Sequence, residues 1–114
     1  KRSGVTIRFR GGQPAGHTAE LIYTAMQVCL NNAIQYAQAT ELTANLWECD
    51  GCCHVVIRNN GRPPERPVTE GGGLTNLRRQ IEKSGGAMTI QSTPEFALAL
   101  RIPNFGMTEE NKWL

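Results

Sequence analysis

The dipeptide Asp50-Gly51 constrains this chain more than any other pair of residues. It separates two runs, Leu42 to Cys49 and Cys52 to Asn59, that read as strands. A two-residue connection between strands needs φ > 0 at both central positions. Asp-Gly supplies that, so the two runs form an antiparallel hairpin. A hairpin with one apolar face needs another layer to cover it.

Two segments offer that layer. Thr18 to Ala37 reads as a helix, with Thr18 as its cap and Glu20 in a first turn where the dipole favours an acid. Its apolar residues Ile22, Ala25, Cys29, Ala33 and Tyr36 recur at steps of three and four, which is one buried helix face. Leu74 to Lys83 reads as a second helix with Leu74, Leu77 and Ile81 inward, closed by Gly85-Gly86. Val5 to Phe9 adds a strand at the start, followed by a Gly/Pro-rich loop from Gly11 to Gly16. Ala87 to Ser92 and Phe96 to Ile102 add two strands at the end. The expected class is an α/β two-layer sandwich, a mixed and mostly antiparallel sheet with its helices on one face. The expected division is one domain over residues 1–103 and a C-terminal tail over 104–114.

Composition narrows function mainly by exclusion. The 114 residues carry a formal net charge of +2, and Lys and Arg are scattered, so no nucleic-acid patch is read here. No apolar run reaches the roughly 18 residues needed to cross a bilayer. No basic stretch followed by an apolar core marks a secretory signal. The start at Lys1 reads as a cut from a longer protein whose membrane spans, if present, lie elsewhere. The four cysteines, Cys29, Cys49, Cys52 and Cys53, do not form the spaced framework of a secreted domain, so a reducing cytoplasm is expected.

Three stretches carry chemistry. Gly71-Gly72-Gly73-Leu74 opens the second helix, where unpaired N–H groups and the positive dipole end favour phosphate. Glycines before a helix are also simply a loop. Asn32 lies one helical turn after Val28 on the same side of the first helix. It can cap a backbone group or offer its carbonyl oxygen to Mg²⁺, a hard ion. Val55 to Gly61 is an apolar strand ending in Asn59, Asn60 and Gly61. A polar residue at such an end can read a base edge or form a turn.

Taken in order, these stretches resemble the Bergerat-fold ATPases, closest to the sensor histidine kinases. The matching places are Val28…Asn32-Ala33, Asn59-Asn60-Gly61-Arg62-Pro63, Gly71-Gly72-Gly73-Leu74, Gly85-Gly86, Ser92-Thr93-Pro94 and Ile102-Pro103. The resemblance runs from Val5 to Pro103, and Gly71 to Gly86 is its most specific part. It implies ATP and Mg²⁺ as ligands. Asn32 would bind Mg²⁺ between the phosphates and Asn59 would meet the adenine amino group. Gly61 would lie in the nucleotide site, Gly71, Gly73, Leu74 and Thr75 would hold phosphate, and residues 62–70 would be the lid. It implies a phosphoacceptor His on a separate dimerisation domain, a cognate response regulator, and a parent protein that is a membrane-anchored homodimer with this domain in the cytoplasm.

Four places depart from the family pattern. The acidic residue on the first helix is Val28, which can neither accept a proton nor hold a water. Gln27 beside it points about 100° away round the helix. The adenine-reading Asp is Asn59, which accepts without a charge, a loss of roughly 1–2 kcal/mol. Pro63 replaces a Gly, and with Pro64 and Pro67 it stiffens the lid. Glu95-Phe96-Ala97-Leu98 replaces a Gly-x-Gly-Thr run. No catalytic residue is therefore assigned. The expected function is an ATP-binding domain with weakened nucleotide binding. The alternative is a docking or regulatory module that keeps the fold without nucleotide. A relative of the anti-sigma serine kinases, which share the fold, is disfavoured by Gly71 to Gly86.

Other features are left as background. Cys49-x-x-Cys52 has zinc-ligand spacing, but a second ligand pair is missing and alternation sends Cys52 and Cys53 to opposite faces. A Cys49–Cys52 disulfide would need oxidation. His17 has no evident partner. Arg78 and Arg79 are expected on the solvated side of the second helix, and Trp47 in the strand core.

Overall fold

A computed structural model describes residues 5–12, 14, 16–62, 72–92 and 94–103, without the side chains of Gln35 and Tyr36. Gly71, residues 63–70, Thr93 and the tail after Pro103 lie outside them, and with them most of the expected lid.

The hairpin is as the turn chemistry requires. Strand β2 (Glu41–Cys49) meets β3 (Cys52–Asn59) antiparallel, with Cys49 opposite Cys52. Asp50 and Gly51 between them have φ of 55° and 75°, the left-handed pair of a type I′ turn. Strand β1 (Thr6–Gly11) pairs parallel with β2, and β4 (Ala87–Gln91) pairs antiparallel with β5 (Ala97–Pro103). β5 sits beside β3, which gives a five-stranded sheet in the order β1-β2-β3-β5-β4.

One face of this sheet is apolar. Leu42, Ala44 and Leu46 alternate with more exposed residues on β2, and Cys53, Val55 and Ile57 do so on β3. Leu98, Leu100 and Ile102 continue the row on β5, directly opposite residues of β3. Helix α1 (Gly16–Asn32) lays Leu21, Ile22, Ala25 and Cys29 on that face. Helix α2 (Gly73–Lys83) lays Leu74, Leu77 and Ile81 on it. Helices on one side and an open face on the other make the two-layer sandwich.

Several local expectations change. α1 begins at Gly16, so Thr18 lies inside it and Glu20 falls beyond the first turn. That turn is tied from outside, because His17 Nε2 and Ser84 Oγ, at the far end of α2, are 2.9 Å apart. His17 thus has a partner after all. α1 ends at Asn32 and runs on into one π-helical turn, Ala33–Ala37, closed by Gln38 at φ 53°.

Trp47 is 47% exposed, not core. Odd-numbered residues of β2 face away from the helices, and Trp47 stacks there on His54, its cross-strand partner, with ring centroids 5.4 Å apart. Arg78 is also not simply solvated. Its guanidinium donates to the Met88 carbonyl at 2.8 Å and lies 3.7 Å from Glu82, clamping α2 to β4.

Candidate functional site

The chemistry-bearing residues lie on α1, on the end of β3 and at the start of α2. A methyl group built on Gly73 would lie 3.3 Å from Val28 Cγ2, so the α1 side chain packs directly against the first residue of α2. Gly72, just before it, has φ 47° and open space on its Cα side. The first N–H groups of a helix carry no intrahelical partner, and at α2 they start beside the methyl groups of Val28. Gly73 is exposed, Leu74 is buried beneath it, and Thr75 is half-buried.

Asn32 lies one turn after Val28, at the last α-helical position before the π-helical turn, and is half-buried. It makes no side-chain cap there. Its side-chain oxygen is a hard, neutral ligand atom on the same helix side as Val28. Gln27, its side chain rotated away, donates to the Tyr23 hydroxyl at 3.1 Å and lines a groove of about 340 Å³ between β1 and α1 with Phe9 and Met26. It cannot substitute for an acid at Val28.

At the end of β3, Asn59 is the one buried polar side chain among the described residues. Its Oδ1 accepts from the Gly61 N–H at 2.8 Å. Gly61 is wedged against the π-helical turn. A Cβ there would collide with the Ala37 carbonyl and come 2.7 Å from the Ala37 Cβ. The next residue, Arg62, donates its N–H to that same carbonyl at 2.9 Å. Between them, Asn60 staples β3 to the start of β2. Its Oδ1 accepts from the N–H groups of Thr40 and Glu41 at 2.9 and 2.8 Å, and its Nδ2 donates to Thr40 Oγ1 at 2.9 Å. In the sequence alone Asn60 has no role beyond its place in Asn59-Asn60-Gly61. An Asn before a Gly at a strand end was the available signal.

The shortened end of the β4–β5 connection is structural. Phe96 is buried, and Gln91 Nε2 donates to the Glu95 carbonyl at 3.1 Å across the turn.

The sequence and the fold have parallels among known proteins. No family model matches the chain. The chain is 31% identical over 84 residues to the signal transduction histidine-protein kinase/phosphatase UhpB of Salmonella typhimurium, an alignment covering 70% of this chain and 17% of that protein. It is 28% identical over 86 residues to the sensor histidine kinase YxjM of Bacillus subtilis, covering 75% of this chain and 21% of that one. The mycobacterial sensor histidine kinase MprB superposes with a TM-score of 0.67 at 20% identity, over 90% of this chain and 83% of that one. The ATP-binding domain of PrrB from Mycobacterium tuberculosis gives 0.67 at 18% identity, over 88% and 80%. This is a histidine kinase-type ATPase domain. It spans about a fifth of the length of the curated relatives it matches.

Within the domain, Val28 on α1 packs against Gly73 at the start of α2, Asn32 follows one turn later on α1, and Asn59 and Gly61 stand at the end of β3, joined by a hydrogen bond. Gly71 lies outside the described residues, as do Pro63, Pro64 and Pro67. Of the cysteines, Cys53 is buried on the helix side and Cys52 is half-buried on the other, so alternation separates them. Among the described residues, no group of three or more His, Cys, Asp or Glu converges on a point.

Proposed function

We propose that the domain binds ATP weakly between α1, Asn59 and the start of α2, and supplies the γ-phosphoryl group to a His on a separate dimerisation domain of its parent protein. The observation that carries this reading is the contact of Val28 with Gly73. It sets the start of α2 directly beside the helix position where the family has its acid, and fills that position with methyl groups. Phosphate fits that helix start, where backbone N–H groups are the donors. Mg²⁺ fits less well, because Asn32 offers one neutral oxygen and the phosphates must supply the rest of the coordination. Mg²⁺, when bound, neutralises charge between the phosphates. This chain's own groups position the nucleotide: N–H groups at Gly73, Leu74 and Thr75 and the Asn32 oxygen, with Asn59 beside the base.

The parent protein is read as a membrane-anchored homodimer that acts with a cognate response regulator and holds this domain on the cytoplasmic side. Among the described residues, no helix is long and apolar enough to cross a membrane.

Val28 also favours a second reading, a docking module that keeps the fold and has no need of nucleotide. Calorimetric titration with a non-hydrolysable ATP analogue separates the two. Binding in the micromolar to sub-millimolar range that needs Mg²⁺ and weakens in Asn32→Ala supports the attenuated kinase domain. Absence of heat at millimolar nucleotide, from protein shown to be folded, leaves the docking module.

A further inference from the structure

The sheet face turned away from the helices has a chemistry that the nucleotide cleft does not use. Residues directly opposite in a ladder share a face. Arg8, Thr43 and Arg58 therefore form one row, Arg10, Asn45 and Val56 the next, and Trp47, His54 and Arg101 a third. Four arginines from three strands leave the same side. The one acid on it, Glu41, is already ion-paired with Arg8. Among the described residues, neither Arg10 nor Arg58 meets an acid within ion-pair distance. Off this face, the described charges are four cationic side chains against five acidic ones. The net positive charge of the described residues is thus concentrated on one side.

We propose that this open sheet face docks on an anionic lipid surface. Arg8 and Arg10 on β1 and Arg101 on β5 are three strand spacings apart, about 14 Å. An array of that width matches a surface of many phosphates better than a single bound group. The rest of the described charges, slightly acidic in sum, gives the domain an orientation in the field of such a surface. Trp47 stands on the same face as the arginines, half exposed and stacked on His54. An amphipathic ring at a polar–apolar boundary is what an interface favours. A single-stranded nucleic acid would instead need free ring faces for its bases, and one face of Trp47 is covered by His54 at 5.4 Å.

The test is co-sedimentation of the 114-residue chain with vesicles of phosphatidylcholine, alone or mixed three to one with phosphatidylglycerol. Binding to the mixed vesicles only, fading as salt rises, is expected. Each arginine near such a surface contributes about five-fold, so the double reversal Arg58→Glu/Arg101→Glu should lower partitioning roughly twenty-fold or more. Arg79→Glu on α2 should leave it unchanged. In a Trp113→Phe background, Trp47 emission should shift to the blue on the mixed vesicles. If the double reversal fails to fold by circular dichroism, Arg10→Gln, expected to weaken binding several-fold, takes its place. Equal binding by the folded variants, no binding to the mixed vesicles, or capture of a single-stranded oligothymidylate in place of vesicles would overturn the proposal.

Discussion

Asn59 Oδ1 lies 2.8 Å from the Gly61 backbone nitrogen, and that bond fixes which prong of the amide is oxygen. A backbone N–H can only donate, so the other prong is the NH₂ group. Where Asn59 meets the base, it therefore presents a donor to the adenine amino group, itself a donor. A carboxylate would accept on both prongs, one from Gly61 and one from adenine, with charge assistance. Asn59→Asp is predicted to tighten binding of an ATP analogue about ten-fold, or roughly 1–2 kcal/mol. The same change should weaken a guanine nucleotide, whose six-position is an acceptor. Titration of both nucleotides against both proteins checks this. Unchanged ATP affinity would remove Asn59 from the base contact.

Val28 makes the second prediction. Its Cγ2 lies 3.3 Å from where a Gly73 side chain would begin, so a Glu at this position reaches the start of α2. The helix dipole favours an acid there. Val28 also packs against the core, so the longer polar side chain costs some stability. Val28→Glu is predicted to raise ATP hydrolysis at least ten-fold and lower the thermal midpoint by a few degrees. Val28→Ala should lower the midpoint without raising hydrolysis. Equal hydrolysis in both variants would mean that the missing acid is not what limits the site.

Periodicity and turn chemistry made most of the fold legible. Asp50-Gly51 fixed the central hairpin because few sequences tolerate two positive φ values in a row. The apolar repeat of α1 gave its buried face, since Ile22, Ala25, Cys29 and Ala33 are all inside. What was not legible depends on the third dimension. Trp47 looked like core by residue type, but strand parity puts it on the uncovered face. The first turn of α1 is fixed by Ser84, 67 residues along the chain from His17. The candidate nucleotide residues rest on resemblance and spacing, whereas the bonds of Asn60 and the direction of the Asn59 amide are facts of hydrogen-bond geometry.

Asn60 is predicted to hold fold rather than ligand. Three side-chain bonds join it to Thr40 and Glu41, where β2 begins. Each is partly exposed and contributes a modest amount, so Asn60→Ala should cost about 1–2 kcal/mol. For a domain of this size that lowers the thermal midpoint by roughly 5–10 °C. Asn60→Asp keeps the oxygen facing both N–H groups and should lose only part of that. Nucleotide affinity measured well below the midpoint should stay within about two-fold in both variants. A large loss of affinity with little loss of stability would give Asn60 a ligand role instead.

Cys29 carries the last prediction. It is fully buried on α1, and burial pushes its thiol up from 9.0 to about 12. The folded protein keeps this proton where the unfolded chain gives it up. The unfolded state therefore binds fewer protons above the ordinary thiol range, and stability falls as pH rises there. The contribution is intact below pH 9.0 and is lost progressively toward about 12. Cys53, also raised by burial, adds to the same slope. Urea unfolding between pH 8 and pH 11 should show a midpoint that declines on the alkaline side, and Cys29→Ala should flatten that decline while lowering stability at neutral pH through the cavity it leaves. Thiol labelling at neutral pH gives an independent reading, with Cys49 and Cys52 modified quickly and Cys29 and Cys53 only on unfolding. Rapid labelling of Cys29 in the folded state would show that α1 opens from the sheet well below the cost of global unfolding.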